Sequence, residues 1–283
     1  MKLPNFGYHL ARSRGWRFRA RYLAALPRIV RQPLRIERDF PCDVYAYSGA
    51  AMLPEQVASI RSFLANAGRP RRFTIVSDGT YTQEQAQLLE TIDSCVRLEQ
   101  SAAWLPADVP EQARTYLSSH ATGRQLALIM CLPRDRAAVY TDSDVLFFKG
   151  ADDLAKTVAR TDVPASYLAD CRLSGDLRLF RDEAEKRAPV NTGFLVLHRT
   201  LDWTLAMQRL LELEGGPTFF TNQTLTHLAM HDNGADALDA RKYVLQLDDQ
   251  FIFPDQHASP AIALRHYVNP VRHKMWTTLR RAQ

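Results

Sequence analysis

Asp142 and Asp144 stand one residue apart, between the apolar run at 137–140 and a second apolar run at 145–148. Two carboxylates this close repel each other, and burying them is costly unless a cation or a proton relieves the charge. The first run has the length and character of a buried strand. In open α/β sheets, ligands collect at the carboxyl ends of strands. Carboxylate oxygens combined with phosphate oxygens suit Mg²⁺ or Mn²⁺. The segment Asp142-Ser143-Asp144 therefore reads as a divalent-cation site that holds a diphosphate. The rival is a solvated turn, since Asp and Ser are ordinary turn residues. Phe147 and Phe148 argue against it, because an exposed turn has no need of two aromatic residues directly behind it.

Other polar residues punctuate apolar stretches in the same way. Asn191-Thr192-Gly193 leads into the apolar run at 194–197, and a glycine there permits close backbone approach to a ligand. Thr221 can cap a helix, which places Asn222 and Gln223 in its first turn near unpaired amides. Arg124 precedes the apolar stretch at 125–132 and can point toward a phosphate. Near the end of the chain, His266, Arg272, His273, Lys274 and Trp276 crowd together. Neutral imidazole is a common metal ligand, and Arg272 or Lys274 would neutralise a diphosphate leaving group.

These residues need a scaffold, and the chain alternates between strand and helix patterns. Strands are expected at 43–48, ending in Tyr47 and Ser48, then at 73–76, 96–98, 137–140, 163–170 (ending in Asp170), 194–197 and 243–247. Helices are expected from Pro54, over 83–92, over 111–132 with a break at Gly123, over 203–214 and from 221 to Met230. The alternation indicates an α/β fold with a mainly parallel sheet. The charged stretch at 171–188 reads as surface.

The chain of 283 residues has 46% hydrophobic and 24% charged residues and a net charge of +5, ordinary for a globular protein. Residues 1–38 hold ten Lys or Arg against the single acid Glu37, so this segment carries +9 and the remainder −4. We divide the chain into a basic leader at 1–40 and one domain at 41–283. The leader mixes arginines with Trp16, Phe18 and Tyr22. Two roles fit it: attachment to an anionic membrane surface, or a helix packed on the domain with its arginines in water. Pro27 and Pro33 argue against one continuous helix. No nucleic-acid motif accompanies the charge. No run is long enough to span a membrane and no secretory signal is recognisable. Cys42, Cys95, Cys131 and Cys171 are scattered, as in a reducing cytoplasm. The expected location is cytoplasmic, with or without attachment to the inner face of the membrane.

In their order, the segment at 140–148, Asn191 to Phe194, the Gln223 helix start and the segment His266 to Trp276 resemble the GT-A glycosyltransferases. The resemblance is to the family 8-like group of glycogenin and the bacterial lipopolysaccharide glycosyltransferases, and it covers about residues 42–276. It implies a single Rossmann-like GT-A domain and a nucleotide-diphosphosugar donor, most often UDP-linked, bound through Mn²⁺ or Mg²⁺. It implies Asp142, Asp144 and His266 as metal ligands. Tyr47, Ser48, Arg124, Asp142, Ser143, Asn191, Thr192, Gly193, Asn222, Arg272 and Lys274 become candidate substrate-binding residues, and Gln223, Asn191 and Asp170 candidate catalytic ones. Two departures stand out. The step from His266 to Lys274 is longer than the family's, which makes Arg272 a rival for the cation role and His273 a rival ligand. Asn222 occupies a place where the family carries an acid.

The implied reaction transfers a sugar to a hydroxyl on a glycan or lipid-linked acceptor, with retention, the donor phosphate taking the acceptor proton. If the outcome were inversion, Asp170, Asp248 or Asp249 would be the candidate base. A haloacid-dehalogenase phosphatase fits poorly, because Leu146 and Phe180 occupy places where its motifs need other residues. A nucleotidyltransferase lacks its basic glycine-rich loop at 49–52. The non-enzymatic alternative is a sugar-nucleotide-binding protein at the membrane surface.

Overall fold

The computed structural model describes residues 6–133, 136–252 and 254–282. The first five residues of the basic leader, residues 134 and 135, Phe253 and Gln283 lie outside the described residues. In order, the chain forms α1 (Phe6–Ile29), β1 (Asp39–Phe40), β2 (Asp43–Ser48), α2 (Leu53–Asn66), β3 (Arg69–Pro70), β4 (Phe73–Ser77), α3 (Gln83–Glu90) and β5 (Val96–Gln100). It continues through α4 (Glu111–Ser119), α5 (Ala121–Met130), β6 (Ala138–Thr141), β7 (Val145–Phe147), α6 (Leu154–Val158), β8 (Ala165–Ala169) and β9 (Val190–Leu197). It ends with α7 (Thr204–Leu211), α8 (Thr221–Asp232), β10 (Asp236–Ala237), β11 (Tyr243–Val244), β12 (Leu264–His266) and α9 (Arg272–Ala282).

The central sheet has seven strands in the order β10-β8-β9-β6-β2-β4-β5. All its pairs are parallel except those of β9, which runs antiparallel between β6 and β8. The fold is the α/β class with the mainly parallel mixed sheet expected. Strands β4, β6 and β9 are buried along their whole length, which suits a sheet covered on both faces. One apolar cluster joins Tyr22, Leu26, Val57, Phe63 and Trp276 from α1, α2 and α9 to one face. A second joins Tyr116, Leu126, Met207 and Leu225 from α4, α5, α7 and α8 to the other.

A smaller sheet, β11-β12-β7, completes the site. β12 runs antiparallel to β7 and sets His266 opposite Val145. The Tyr267 amide then donates to the Asp144 carbonyl at 2.9 Å. This ladder carries a histidine from the end of the chain to the central Asp pair.

Three local expectations change. The leader helix is unbroken from Phe6 to Ile29, because Pro27 falls inside its last turn, where a lost hydrogen bond costs little continuity. Its inner stripe, Ala11, Gly15, Tyr22, Leu26 and Ile29, is buried. Gly15 lets it run close along α9, since a Cβ there would stand 2.3 Å from the His273 carbonyl oxygen. Tyr22 meets Trp276 with ring centroids 5.3 Å apart. The second change is that the break expected at Gly123 comes at His120. Gly123 sits within α5 because a Cβ there would lie 2.0 Å from the Tyr116 carbonyl oxygen. The third is that Thr221 does not cap α8; its hydroxyl donates to Asp176 at 2.9 Å. Among the described residues, no helix is long and apolar enough to cross a membrane.

Candidate active site

Asp142, Asp144 and His266 each offer a ligand atom, and these atoms lie within 4.8 Å of one another. His266 Nε2 stands 3.0 Å from Asp144 Oδ1 and 3.6 Å from Asp142 Oδ2. Each of the three also has a second polar atom, and each of those is held elsewhere. Asp142 Oδ1 accepts from the Tyr140 hydroxyl at 2.8 Å and from Gln125 Nε2 at 2.9 Å. Asp144 Oδ2 accepts from Arg272 Nη2 at 2.6 Å and Nε at 3.1 Å. His266 Nδ1 donates to Asn191 Oδ1 at 2.9 Å. The inward-facing atoms are thus two carboxylate oxygens and one imidazole nitrogen. Partners that fix the outer atom of a ligand also fix its ring or carboxylate orientation. Two carboxylate oxygens suit a hard divalent cation such as Mn²⁺ or Mg²⁺, and a neutral imidazole nitrogen can complete the set.

The charges in the site depend on one another. Burial pushes the Asp142 carboxyl above its usual range, with nearby Asp144 adding to the shift and His266 opposing it. Burial acts the same way on Asp144, but the charges and hydrogen bonds of His266 and Arg272 outweigh it and hold the carboxyl at about 2. Burial disfavours the imidazolium of His266, and the two carboxylates outweigh that and raise its pKa. The histidine and the arginine together balance the acid pair.

A second set of amides extends from the ligands. The Asn191 amide nitrogen donates to Asp170 Oδ2 at 3.0 Å, and Gln223 Nε2 donates to the same oxygen at 3.1 Å. Gln223 also donates to the Ser174 carbonyl at 2.7 Å. Asn222 donates to Gln125 Oε1 at 2.8 Å, so a chain of amides runs from Asn222 through Gln125 to Asp142. The neutral residue at 222 therefore has a neutral partner.

These residues face a cleft of about 660 Å³, within the ~300–1,000 Å³ range of small-molecule sites. Tyr47, Asp142, Ser143, Asp144, Asp170 and Asn191 line it, as do Thr192, Asn222, Gln223, His266 and Arg272. Four expected substrate-binding residues do not. Ser48 is buried, bonded to Gln56 and Tyr81. Arg124 is held by the carbonyls of Ser118 and Asp78 at 2.7 and 2.8 Å. Gly193 makes room for a side chain of this chain: a Cβ there would stand 2.1 Å from His266 Cε1. Lys274 is buried away from the cleft, 3.1 Å from Asp249 Oδ2 and 2.5 Å from the Ile252 carbonyl oxygen.

The rival residues have other partners in the structure. His273 Nδ1 bonds the Pro270 carbonyl at 3.1 Å, and its ring packs on Tyr8 of α1. Asp249 is fully buried against Arg265 and Lys274, and Asp248 pairs with His257 at 2.6 Å. Asp170 is the only one of the three candidate bases that lines the cleft. Sequence reasoning missed Gln125 and the rim pair Phe219 and Phe220, which are 72% and 43% exposed. Adjacent aromatics left outside any apolar period were the available signal for the pair.

No protein-family profile matches the sequence, and no curated protein matches it. Solved structures do. A galactosyltransferase, LgtC, in complex with donor and acceptor sugar analogs, is 16% identical with a TM-score of 0.51, over 85% of this chain and 95% of that one. Mouse xyloside xylosyltransferase 1 is 10% identical with a TM-score of 0.57, over 82% and 99%. GlyE, a glycosyltransferase of Streptococcus pneumoniae, is 14% identical with a TM-score of 0.54, over 85% and 60%. The chain has the GT-A fold of these glycosyltransferases.

Proposed function

We propose that the protein is a metal-dependent, retaining glycosyltransferase that moves a sugar from a nucleotide-diphosphosugar, UDP-linked, to a hydroxyl of a glycan or lipid-linked acceptor. The observation that carries this reading is the convergence of Asp142 Oδ2, Asp144 Oδ1 and His266 Nε2 in the cleft, with the Arg272 guanidinium beside them. Asp142, Asp144 and His266 would hold Mn²⁺ or Mg²⁺, which supplies Lewis-acid polarisation of the diphosphate oxygens. Arg272 lies where it adds a fixed positive charge to the leaving diphosphate. Gln223 and Asn191 orient the Asp170 carboxylate at the cleft wall, where it faces charge developing on the sugar. The leaving phosphate accepts the acceptor proton. Thr192, Ser143 and Tyr47 shape the donor pocket. On this reading the protein would work in the cytoplasm at the inner face of a membrane, with an anionic lipid surface as the partner of residues 1–38.

The test is a thermal-shift panel of UDP, GDP, CDP and ADP, each with and without Mn²⁺, on the wild type and on Asp144→Asn. A ligand that binds only the folded chain raises its stability by mass action, by ~2.7 kcal/mol at a hundred times its dissociation constant. A metal-dependent rise with UDP, lost in the variant, is expected. The absence of a rise with any nucleotide would overturn the reading.

A further inference from the structure

The outward half of α1 is not explained by the catalytic site. The helix has no acid along its 24 residues. Arg19 is tied to Glu55 at 2.8 Å and to the Ala51 carbonyl at 2.6 Å. Arg12, Arg17 and Arg21 are exposed and have no carboxylate partner among the described residues. Between them stand large apolar side chains that a solvated helix face has no reason to expose: Leu10 is 61%, Leu23 43% and Trp16 37% exposed. The surface continues beyond the helix. Tyr8 packs on Phe251 with centroids 5.4 Å apart, and Phe251 and Ile252 are 52% and 40% exposed.

We propose that the outward half of α1 and the Phe251–Ile252 loop form one docking surface for an anionic phospholipid bilayer, with the mouth of the cleft held beside the membrane. The chemistry favours lipid over nucleic acid. Phosphate groups attract the arginines in either case, but apolar side chains gain only where they can enter the boundary between headgroups and acyl chains. The surface also borders the cleft. Leu245 and Leu247, on the chain leading to Phe251, line it, and so does Met52, next to the Ala51 carbonyl that Arg19 holds. The Gly15 and Tyr8 contacts fall on His273, the neighbour of Arg272. An acceptor carried by a bilayer lipid would therefore reach the cleft from its membrane-facing side. This deepens the reading of a lipid-linked acceptor, and it can fail while the donor site stands, because metal and nucleotide binding are measured without vesicles.

Each arginine near an anionic surface adds roughly fivefold to the partition constant. The experiment is co-sedimentation of the full chain with phosphatidylcholine vesicles and with vesicles containing 30% phosphatidylglycerol, at about 0.1 M salt, where screening acts over about 10 Å. Binding is expected to the anionic vesicles alone. Arg12→Gln/Arg17→Gln/Arg21→Gln should lose roughly a hundredfold, with unchanged melting temperature and Mn²⁺ binding. Phe251→Ser/Ile252→Ser leaves every arginine in place and should lose the part of the binding that survives higher salt. Equal binding by the wild type and both variants, equal binding to neutral vesicles, or a preference for a short duplex DNA over anionic vesicles would each overturn the proposal.

Discussion

The His266 imidazole fills the space that a side chain on residue 193 would need: a Cβ at Gly193 would stand 2.3 Å from His266 Nδ1. The same ring nitrogen bonds Asn191, two residues earlier on β9. One strand thus both orients the ring and leaves room for it. Gly193→Ala must push His266 away from Asp142 and Asp144. Mn²⁺ affinity should fall by ~10–100-fold, the loss typical when a ligand is no longer held in orientation. Isothermal titration with Mn²⁺, without nucleotide, checks it; an unchanged affinity would show that the ring position does not matter.

Arg272 and Lys274 should separate in their effects. Arg272→Gln removes a partly exposed partner of Asp144 that lines the cleft, so nucleotide affinity should drop about tenfold or more while stability falls less than in Lys274→Gln. Lys274→Gln breaks a buried ion pair with Asp249 and should cost about 3 kcal/mol in urea unfolding. Its donor affinity, measured where it is folded, should be near wild type. The reverse pattern would put Lys274 back at the diphosphate.

Asn222→Asp tests the amide chain. A carboxylate there faces Gln125 Oε1, and turning the Gln125 amide to suit it takes a donor from Asp142. Losing a hydrogen bond to a charged group costs ~1.5–3 kcal/mol, so Mn²⁺-dependent nucleotide binding should weaken roughly tenfold or more. An unchanged affinity would show that Gln125 does not support Asp142.

His273 should give the protein a pH-dependent stability. Burial, with Lys274 and Arg12 adding, lowers its pKa from 6.5 to about 4, against the bond to Pro270. The folded chain therefore binds fewer protons than the unfolded chain between these values, and stability rises with pH across that window. The contribution is complete above pH 6.5 and erodes as pH falls toward 4, by about 3 kcal/mol in all. His273→Gln should flatten that part of the wild-type profile of unfolding free energy against pH. Parallel profiles would assign the pH dependence to other groups.

The Asp pair was legible because its signal is local: a strand, two acids and a second apolar run follow one another without interruption. His266 and Asn191 were legible as residue types, but the β7–β12 register that brings His266 to the Asp pair is a long-range pairing with no local trace. The choice between Arg272 and Lys274 could not be read at all. Two residues apart on a helix they point to nearly opposite sides, and which side meets the cleft depends on how α9 lies against α1. The leader helix was hidden for a related reason. Its buried stripe contains Ala11 and Gly15, which carry little hydrophobic signal yet allow the closest approach. Gln125 was missed because an amide beside an arginine, just ahead of an apolar run, looks like an ordinary helix surface.

The packing of α1 on α9 joins the first and last helices among the described residues. On a ribosome, α1 emerges before any strand of the sheet exists, and its partner emerges only after the whole sheet has been made. Until then Tyr22 and Leu26 have no Trp276 to cover them. Contacts of such sequence separation close late, and apolar surface left waiting invites association with other chains. Synthesis of this protein thus exposes a basic, aromatic helix for as long as the rest of the domain takes to appear, and the same late step that buries its inner face brings Arg272 to Asp144.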